Sequence, residues 1–243
     1  MRTAVFSDIH ANLEALEAVR RAAEERAVQK WVCLGDVVGY GADPAACLTA
    51  VRSLTHQILQ GNHDAAVAGL QHLEYFNDYA REAVLWTREH LGEEDRQFLA
   101  GLPLICKCDQ AFFVHAEPVD PGAWGYVESS TDAAAAMAAV DSALCFVGHS
   151  HRAFAFGLRG AGVELVAEGE GRFELRAGCR YLVNVGSVGQ PRDRDARSCF
   201  AIYDDEAGSI ELVRTGYDIS RAQEKILGAG LPPFLAARLR SGH

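Results

Sequence analysis

Five times along the chain a short apolar run ends on aspartate, asparagine or histidine: VFSDIH (5–10), VCLGD (32–36), ILQGNHD (58–64), FFVH (112–115) and CFVGHSH (145–151). This recurrence constrains the fold more than any other feature. Between the runs lie segments of helical periodicity, and that alternation is the mark of strand–helix–strand units with parallel pairing. A parallel sheet opens its crevice at the carboxyl edge, so the polar endings are expected to meet there.

The individual elements follow from local pattern. TAVFS (3–7) reads as a strand, and residues 12–25 read as a helix with Leu13, Leu16 and Ala23 on its apolar side. KWVCLGD (30–36) is a second strand, DPAACLTAVRSL (43–54) a helix capped by Asp43 with Pro44 at its first position, and HQILQ (56–60) a third strand. Residues 76–100 read as a helical insertion, a lid or simple packing. ICKCD (105–109), AFFVH (111–115) and LCFVGHS (144–150) read as strands, and STDAAAAMAAVD (130–141) as a helix. From Ala153 to Tyr217 strands dominate, with turns at RGAG, EGEG and DEAG, and helix returns over about 219–240 with a break at Gly228–Pro233. No repeat or Pro/Ser linker divides the chain, so one domain over residues 1–243 is expected, a layered sandwich of two sheets with outer helices.

Composition excludes several function classes. Residues with hydrophobic side chains make up 49% of the 243 positions, enough for a sizeable core. Acidic residues outnumber basic ones, 33 to 23, for a net charge of −10, so the basic footprint needed for non-specific nucleic-acid binding is missing. No window has the apolar length of a membrane span, and MRTAVFSDIH reads as an immediate strand rather than a leader, which leads to the expectation of a soluble, cytoplasmic protein without membrane partners. Seven cysteines is an odd number, and Cys33, Cys145 and Cys199 lie inside apolar runs, as packed free thiols do in a reducing compartment. The CKC at 106–108 has no second cysteine pair nearby to complete a metal site, and alternate positions of a strand account for it.

Each polar ending alone has an ordinary explanation. An Asp-x-His is commonly a helix cap with a bonded histidine, and Gly-Asn-His-Asp is a plausible turn. Convergence changes the reading, because imidazoles, carboxylates and an amide crowded at one sheet edge lack partners unless cations satisfy them. A donor set of imidazole, carboxylate and amide oxygen without thiolate suits Mn²⁺, Fe²⁺, Ni²⁺ or Zn²⁺, and so many protein ligands suit two ions rather than one. His56, His72, His90 and His243 fall outside the pattern and read as surface or packing histidines.

The ordered set Asp8-x-His10, Gly35-Asp36 with Gly39, Gly61-Asn62-His63-Asp64, His115 and Gly148-His149-x-His151 resembles the calcineurin-like metallophosphoesterase superfamily. LVNVGSVGQPRD (182–193) and the YDI near 217 further resemble its small stand-alone bacterial and archaeal members. The resemblance implies an α/β four-layer α/β/β/α sandwich of two mixed sheets flanked by helices. It implies that Asp8, His10 and His151 hold one metal, that Asn62, His115 and His149 hold the other, and that Asp36 bridges them. It also implies that His63 faces the substrate as proton donor and that Asp64 orients His63. Mn²⁺ is the expected metal, with Fe, Ni or Zn as substitutes, and the expected reaction is phosphoester hydrolysis, as phosphodiesterase or phosphatase, by in-line attack of a metal-bridging hydroxide on a small phosphate ester or nucleotide. Two divalent ions less Asp8, Asp36 and a hydroxide leave a core near +1, so an acidic protein still attracts phosphate locally. Ala116, Glu117 and Ser150 depart from common family residues without replacing a ligand, and so bear on pocket shape.

Two further residues are weaker candidates for substrate binding. Arg192 follows GSVGQP and suits a forked contact to phosphate, whereas Arg194 and Arg197 read as solvated ion pairs. Asn12 stands at a helix start, where capping competes with phosphate binding. Rival chemistries lack their motifs: VGSVG around Ser187 lacks the first glycine of a nucleophile elbow, and neither a dinucleotide fingerprint nor a P-loop is present. A non-catalytic scaffold on the same fold is the remaining rival, and the intact His63 argues against it.

Overall fold

The computed structural model describes residues 1–108, 111–160 and 162–243. Its first half contributes strands β1 (Arg2–Phe6), β2 (Lys30–Cys33), β3 (Ile105–Cys108), β4 (Ala111–Val114) and β5 (Leu144–Val147). The second half contributes β6 (Ala153–Arg159), β7 (Gly162–Glu168), β8 (Gly171–Glu174), β9 (Arg180–Val185), β10 (Ser198–Asp204) and β11 (Ser209–Thr215). Helices α1 (Leu13–Glu24), α2 (Pro44–Leu54), α3 (Asn62–Val67), α4 (Asp78–His90) and α5 (Glu93–Ala100) precede α6 (Ser130–Ala138), α7 (Ile219–Gly228) and α8 (Pro233–Ala237).

The strands form two mixed sheets, ordered β2-β1-β10-β11-β8 and β3-β4-β5-β9-β6-β7. Parallel pairing joins β1 to β2 in the first sheet and β4 to β5 to β9 in the second. Val5, Val32, Leu34, Phe113, Phe146 and Val183 pack between the sheets, each fully buried aliphatic or aromatic side chain contributing about 1.5–3 kcal/mol. On the outer face of the first sheet, Leu16 and Val19 of α1 and Leu48 of α2 cover Phe6 and Phe200. On the outer face of the second, Ala133 and Met137 of α6 cover Val114 and Leu182. These are the four expected layers, helix, sheet, sheet, helix.

Helix starts obey local chemistry. Asn12 caps α1 by accepting from Ala15 N at 3.1 Å, and Ser129 and Asp132 form a capping box on α6. Asp43 precedes Pro44 as expected, but its carboxylate does not cap α2 and accepts from Lys225 Nζ at 2.7 Å, tying α7 to the first half. The 76–100 region forms α4 and α5, and Ala80 and Ala83 of α4 pack with Ala222, Ile226 and Leu235 of the C-terminal helices and with Tyr40.

Three expectations need correction or restriction. HQILQ forms no strand: it makes a single parallel bridge, Cys33 to Ile58, because beyond Leu59 the chain peels away and Gln60 N donates to Pro103 O instead. GNHD is not a turn but the start of α3, preceded by extended Gly61. Of ICKCD and the RGAG turn, Asp109 and Ala161 lie outside the described residues. The cysteines are free, and Cys106 and Cys108 pack inwards while Ile105 and Lys107 are exposed, as alternate strand positions require. Among the described residues no helix is long and apolar enough to cross a membrane.

Candidate metal centre

The carboxyl ends of β1, β2, β4 and β5 open on one edge shared by both sheets. Asp8 and His10 follow β1, Asp36 follows β2, His115 follows β4, and His149 and His151 follow β5, while Asn62 and His63 arrive on the first turn of α3. All of these strand-end side chains are buried. Asp8, His10, Asp36, His149 and His151 hold left-handed backbone angles, φ between 50° and 64°, a conformation that costs a non-glycine residue about 1–3 kcal/mol and persists where surrounding structure enforces it. Tight approach enforces it here: a Cβ on Gly61 would overlap Asp36 Oδ1, and one on Gly148 would overlap Ser7 and Asp8.

Hydrogen bonds to backbone carbonyls determine which imidazole nitrogen carries a proton. His10 Nδ1 lies 3.2 Å from Val38 O, His151 Nδ1 2.6 Å from Gln190 O, and His149 Nε2 3.0 Å from Trp124 O. A carbonyl only accepts, so these nitrogens donate, and in the neutral ring the other nitrogen presents a bare lone pair. Those lone pairs face one another. His10 Nε2 and His151 Nε2 are 3.1 Å apart, and Asp8 Oδ1 stands 3.7 Å and 3.2 Å from them without a hydrogen bond. His149 Nδ1 is 3.3 Å from His115 Nε2, which is 3.5 Å from Asp36 Oδ2. Asn62 Oδ1 is buried without a partner.

The electrostatics point the same way. Burial lowers His10 and His63, and pulls His115 to about 4 and His149 and His151 to about 3, so the rings are neutral at pH 7. Burial, followed by the neighbouring charges of Asp64 and Asp8, pushes Asp36 well above the usual carboxylate range. Buried acceptors facing acceptors, with carboxylates among them, are costly unless a cation stands between. Two groups have ligand atoms mutually within 4.8 Å: Asp8 with His10 and His151, and Asp36 with His115 and His149. Asp36 Oδ2 also lies 3.7 Å from His10 Nε2, between the two groups. The donor set fits two divalent ions, and the fixed outer hydrogen bonds are those that orient metal-ligating imidazoles. A third group, His10 with Asp36 and His63, has the same compactness.

The segment after β9 buttresses this floor. Asn184 Nδ2 donates to Gly148 O and Ser150 Oγ, Ser187 Oγ donates to Asp8 O, and Gly189 N donates to Asp8 O. Ser187 is thus spent on structure. Arg192, which follows, lines a cavity of about 470 Å³ above Asp36, Asn62, His63, His149 and His151. Its Nη2 donates to Gln190 Oε1 at 2.8 Å and to Tyr40 Oη at 3.3 Å, and its Nε is buried without a partner. Arg197 instead pairs at the surface with Asp195 and Glu170, and Arg194 N donates to Gly242 O.

Two candidate residues make contacts other than the expected ones. Asn12 is absent from the cavity lining; its Oδ1 caps α1 and its Nδ2 donates to Gly189 O at 2.9 Å, so both of its polar atoms are engaged within the scaffold. Asp64 does not hold His63: its carboxylate accepts at 3.2 Å from Val38 N and from Gly61 N, while His63 Nδ1 is buried without a partner. Asp64 therefore clamps the loop after β2 to the start of α3, and burial raises it to about 7.

Sequence reading missed the aromatic surroundings. Tyr40, at φ 59°, packs against both His10 and His63, with ring centroids 4.7 and 4.4 Å away. Phe76 meets His63 edge-on at 5.0 Å, and Tyr126 stacks on His149 at 4.2 Å. The flanking glycines Gly39 and Gly41 are the trace Tyr40 leaves in the sequence. The loop bearing Trp124 and Tyr126 is clasped by Glu117, whose carboxylate accepts from Val119 N and Asp120 N and whose N–H donates to Gly125 O. That is the structural consequence of the unusual Glu117.

Comparison with known proteins agrees with this geometry. The sequence model of the calcineurin-like phosphoesterase superfamily domain matches residues 1–208. An uncharacterized protein of Methanocaldococcus jannaschii is 42% identical over 248 residues, spanning 98% of this chain and 97% of the relative. The crystal structure of a metallophosphoesterase from Sphaerobacter thermophilus superposes with a TM-score of 0.87 at 38% identity, covering 100% of this chain and 99% of that one. A hypothetical protein from Pyrococcus horikoshii has the same fold, with a TM-score of 0.80 at 21% identity over 100% of this chain and 98% of that one.

Proposed function

The chain belongs to the calcineurin-like phosphoesterase superfamily, and on that premise we propose that it is a two-metal hydrolase of small phosphoesters, with Mn²⁺ the preferred ion and Fe, Ni or Zn as substitutes. The observation that carries this reading is the pair of carbonyl-fixed imidazoles, His10 and His151, whose Nε2 lone pairs face each other and the Asp8 carboxylate. Asp8, His10 and His151 would hold one ion, Asn62, His115 and His149 the other, and Asp36 both. When bound, such a pair supplies Lewis acidity to phosphoryl oxygens and lowers the pKa of water.

The chain's own side chains do the rest. Arg192, lining the cavity, offers its guanidinium to a phosphoryl oxygen, a charge-assisted contact oriented by Tyr40 and Gln190. His63, neutral and lining the cavity, carries one N–H, the donor that a departing oxygen requires. The buried floor excludes water from around the reacting phosphate, which strengthens each of these contacts. Purified protein supplied with Mn²⁺, Fe²⁺, Ni²⁺ or Zn²⁺ should hydrolyse p-nitrophenyl phosphate or its bis ester. No turnover with any of these ions on either ester would favour a non-catalytic scaffold.

A further inference from the structure

The cavity above the metal floor is bordered by rings. On the His63 side stand Tyr75 and Phe76, from the turn before α4, and on the His149 side stand Trp124 and Tyr126, from the loop clasped by Glu117. Tyr75 and Tyr126 are 78% and 52% exposed at the mouth, so these rings are not needed to fill a core. Phe76 and Tyr126 each lean on a site histidine, which fixes the borders relative to the place where the phosphate is bound.

Polar groups accompany the rings. Gln71 and Asn77 line the same border as Tyr75, and since Asn77 Oδ1 accepts from Ala80 N, its Nδ2 is what remains for a ligand. Trp124 Nε1 is buried and has no acceptor. Amide donors beside aromatic faces match a heteroaromatic ring with hydrogen-bonding edges better than an alkyl or sugar group, which would leave the faces and the donors unused. The volume, about 470 Å³, falls in the range of small-ligand sites.

We propose that these aromatic borders clamp a nucleobase, so that the substrates of the site are nucleotide esters whose phosphate lies on the floor beside Arg192 and whose base stacks at the mouth. The inference rests on the phosphoester reading above and adds to it a specificity subsite made of Tyr75, Phe76, Trp124 and Tyr126. Base–aromatic stacking discriminates by roughly tenfold or more per base.

The test is calorimetric binding of adenosine 5′-monophosphate and ribose 5-phosphate to the Mn²⁺-loaded protein and to its Tyr75→Ala and Tyr126→Ala variants. The wild type should bind the nucleotide roughly tenfold or more tighter than ribose 5-phosphate, and each substitution should bring the ratio of the two constants towards one. Tyr75 is exposed, so its variant keeps the question open should Tyr126→Ala fold poorly. Equal wild-type affinities, or a ratio indifferent to both substitutions, would overturn the nucleobase subsite while leaving the phosphoester reading intact. If neither compound nor inorganic phosphate binds the loaded protein, the phosphoester reading itself fails, and the subsite with it.

Discussion

Asp36 accepts a 2.8 Å hydrogen bond from the backbone N–H of His63 on Oδ1, while its Oδ2 stands between His115 Nε2 and His10 Nε2 at 3.5 and 3.7 Å. One carboxylate thus anchors the start of α3 and belongs to both ligand groups. Asp36→Ala should therefore lose both metals and all activity. His63→Ala should keep its metal by elemental analysis and lose turnover about 10²–10⁴-fold, the usual worth of a positioned proton donor. Equal metal loss in the two variants would place His63 among the ligands, as its grouping with His10 and Asp36 allows.

Asp64 bonds to Val38 N and Gly61 N rather than to His63. Asp64→Asn replaces one acceptor oxygen by an NH₂ group and should destabilise the protein by about 1–3 kcal/mol, the cost of leaving a buried donor unpaired. Its effect belongs in the thermal midpoint. A displaced limb in the pH profile of kcat/KM, with an unchanged midpoint, would show instead that Asp64 acts through His63.

Arg192 is positioned by Tyr40 Oη and Gln190 Oε1. Arg192→Ala should raise KM roughly 10- to 100-fold, since hydrogen bonds to charged groups are worth about 1.5–3 kcal/mol. Arg192→Lys keeps the charge without the fork and should recover only part of that loss. Tyr40→Phe keeps the ring against His10 and His63 while freeing the guanidinium, so a rise in KM with little change in kcat is expected. A fall in kcat alone would tie Tyr40 to His63 rather than to Arg192.

Without metal, the protein should lose stability as pH falls below about 6.5, the ordinary histidine value. His115 is held near 4 and His149 and His151 near 3, with His10 and His63 also lowered, so below 6.5 the unfolded chain takes up protons that the folded one refuses. Asp64, raised to about 7, and Asp36, raised well above its usual range, act in the opposite sense, binding protons in the folded state that the unfolded one has released. The five histidine shifts outnumber the two carboxylate shifts, so acid should win. Thermal midpoints of chelator-treated protein at pH 7.5, 6 and 5 measure this, and a midpoint that rises with acid would refute it. Restored metal at a thousandfold excess over its Kd should add about 4 kcal/mol near neutral pH.

The convergence of Asp8, His10, Asp36, Asn62, His115, His149 and His151 was legible because chemistry and topology act locally on them. Each sits within a few residues of an apolar run, and a strand's carboxyl end is where a parallel sheet opens, so residue type and spacing alone bring them to one edge. The layer order was legible for the same reason, since periodicity switches at each element boundary. Arg192 stood out only as an arginine after a strand.

Partnership, in contrast, was decided by packing between distant segments. Asn12 has an unremarkable cap position in sequence, yet its amide also donates to Gly189 O, and Asp64 sits beside His63 in the chain while bonding to Val38. HQILQ has a strand's composition, but Pro103 O captures the N–H of its last residue, Gln60. The rings of Tyr40, Tyr75, Phe76, Trp124 and Tyr126 carry no spacing code, and only the folded loops bring them around one cavity. A side chain's type is covalent and local, whereas its hydrogen-bond partner is whichever group the rest of the chain delivers to it. The sequence alone therefore determined which atoms could hold a pair of cations, and only the tertiary structure decided which of their neighbours were left for a substrate.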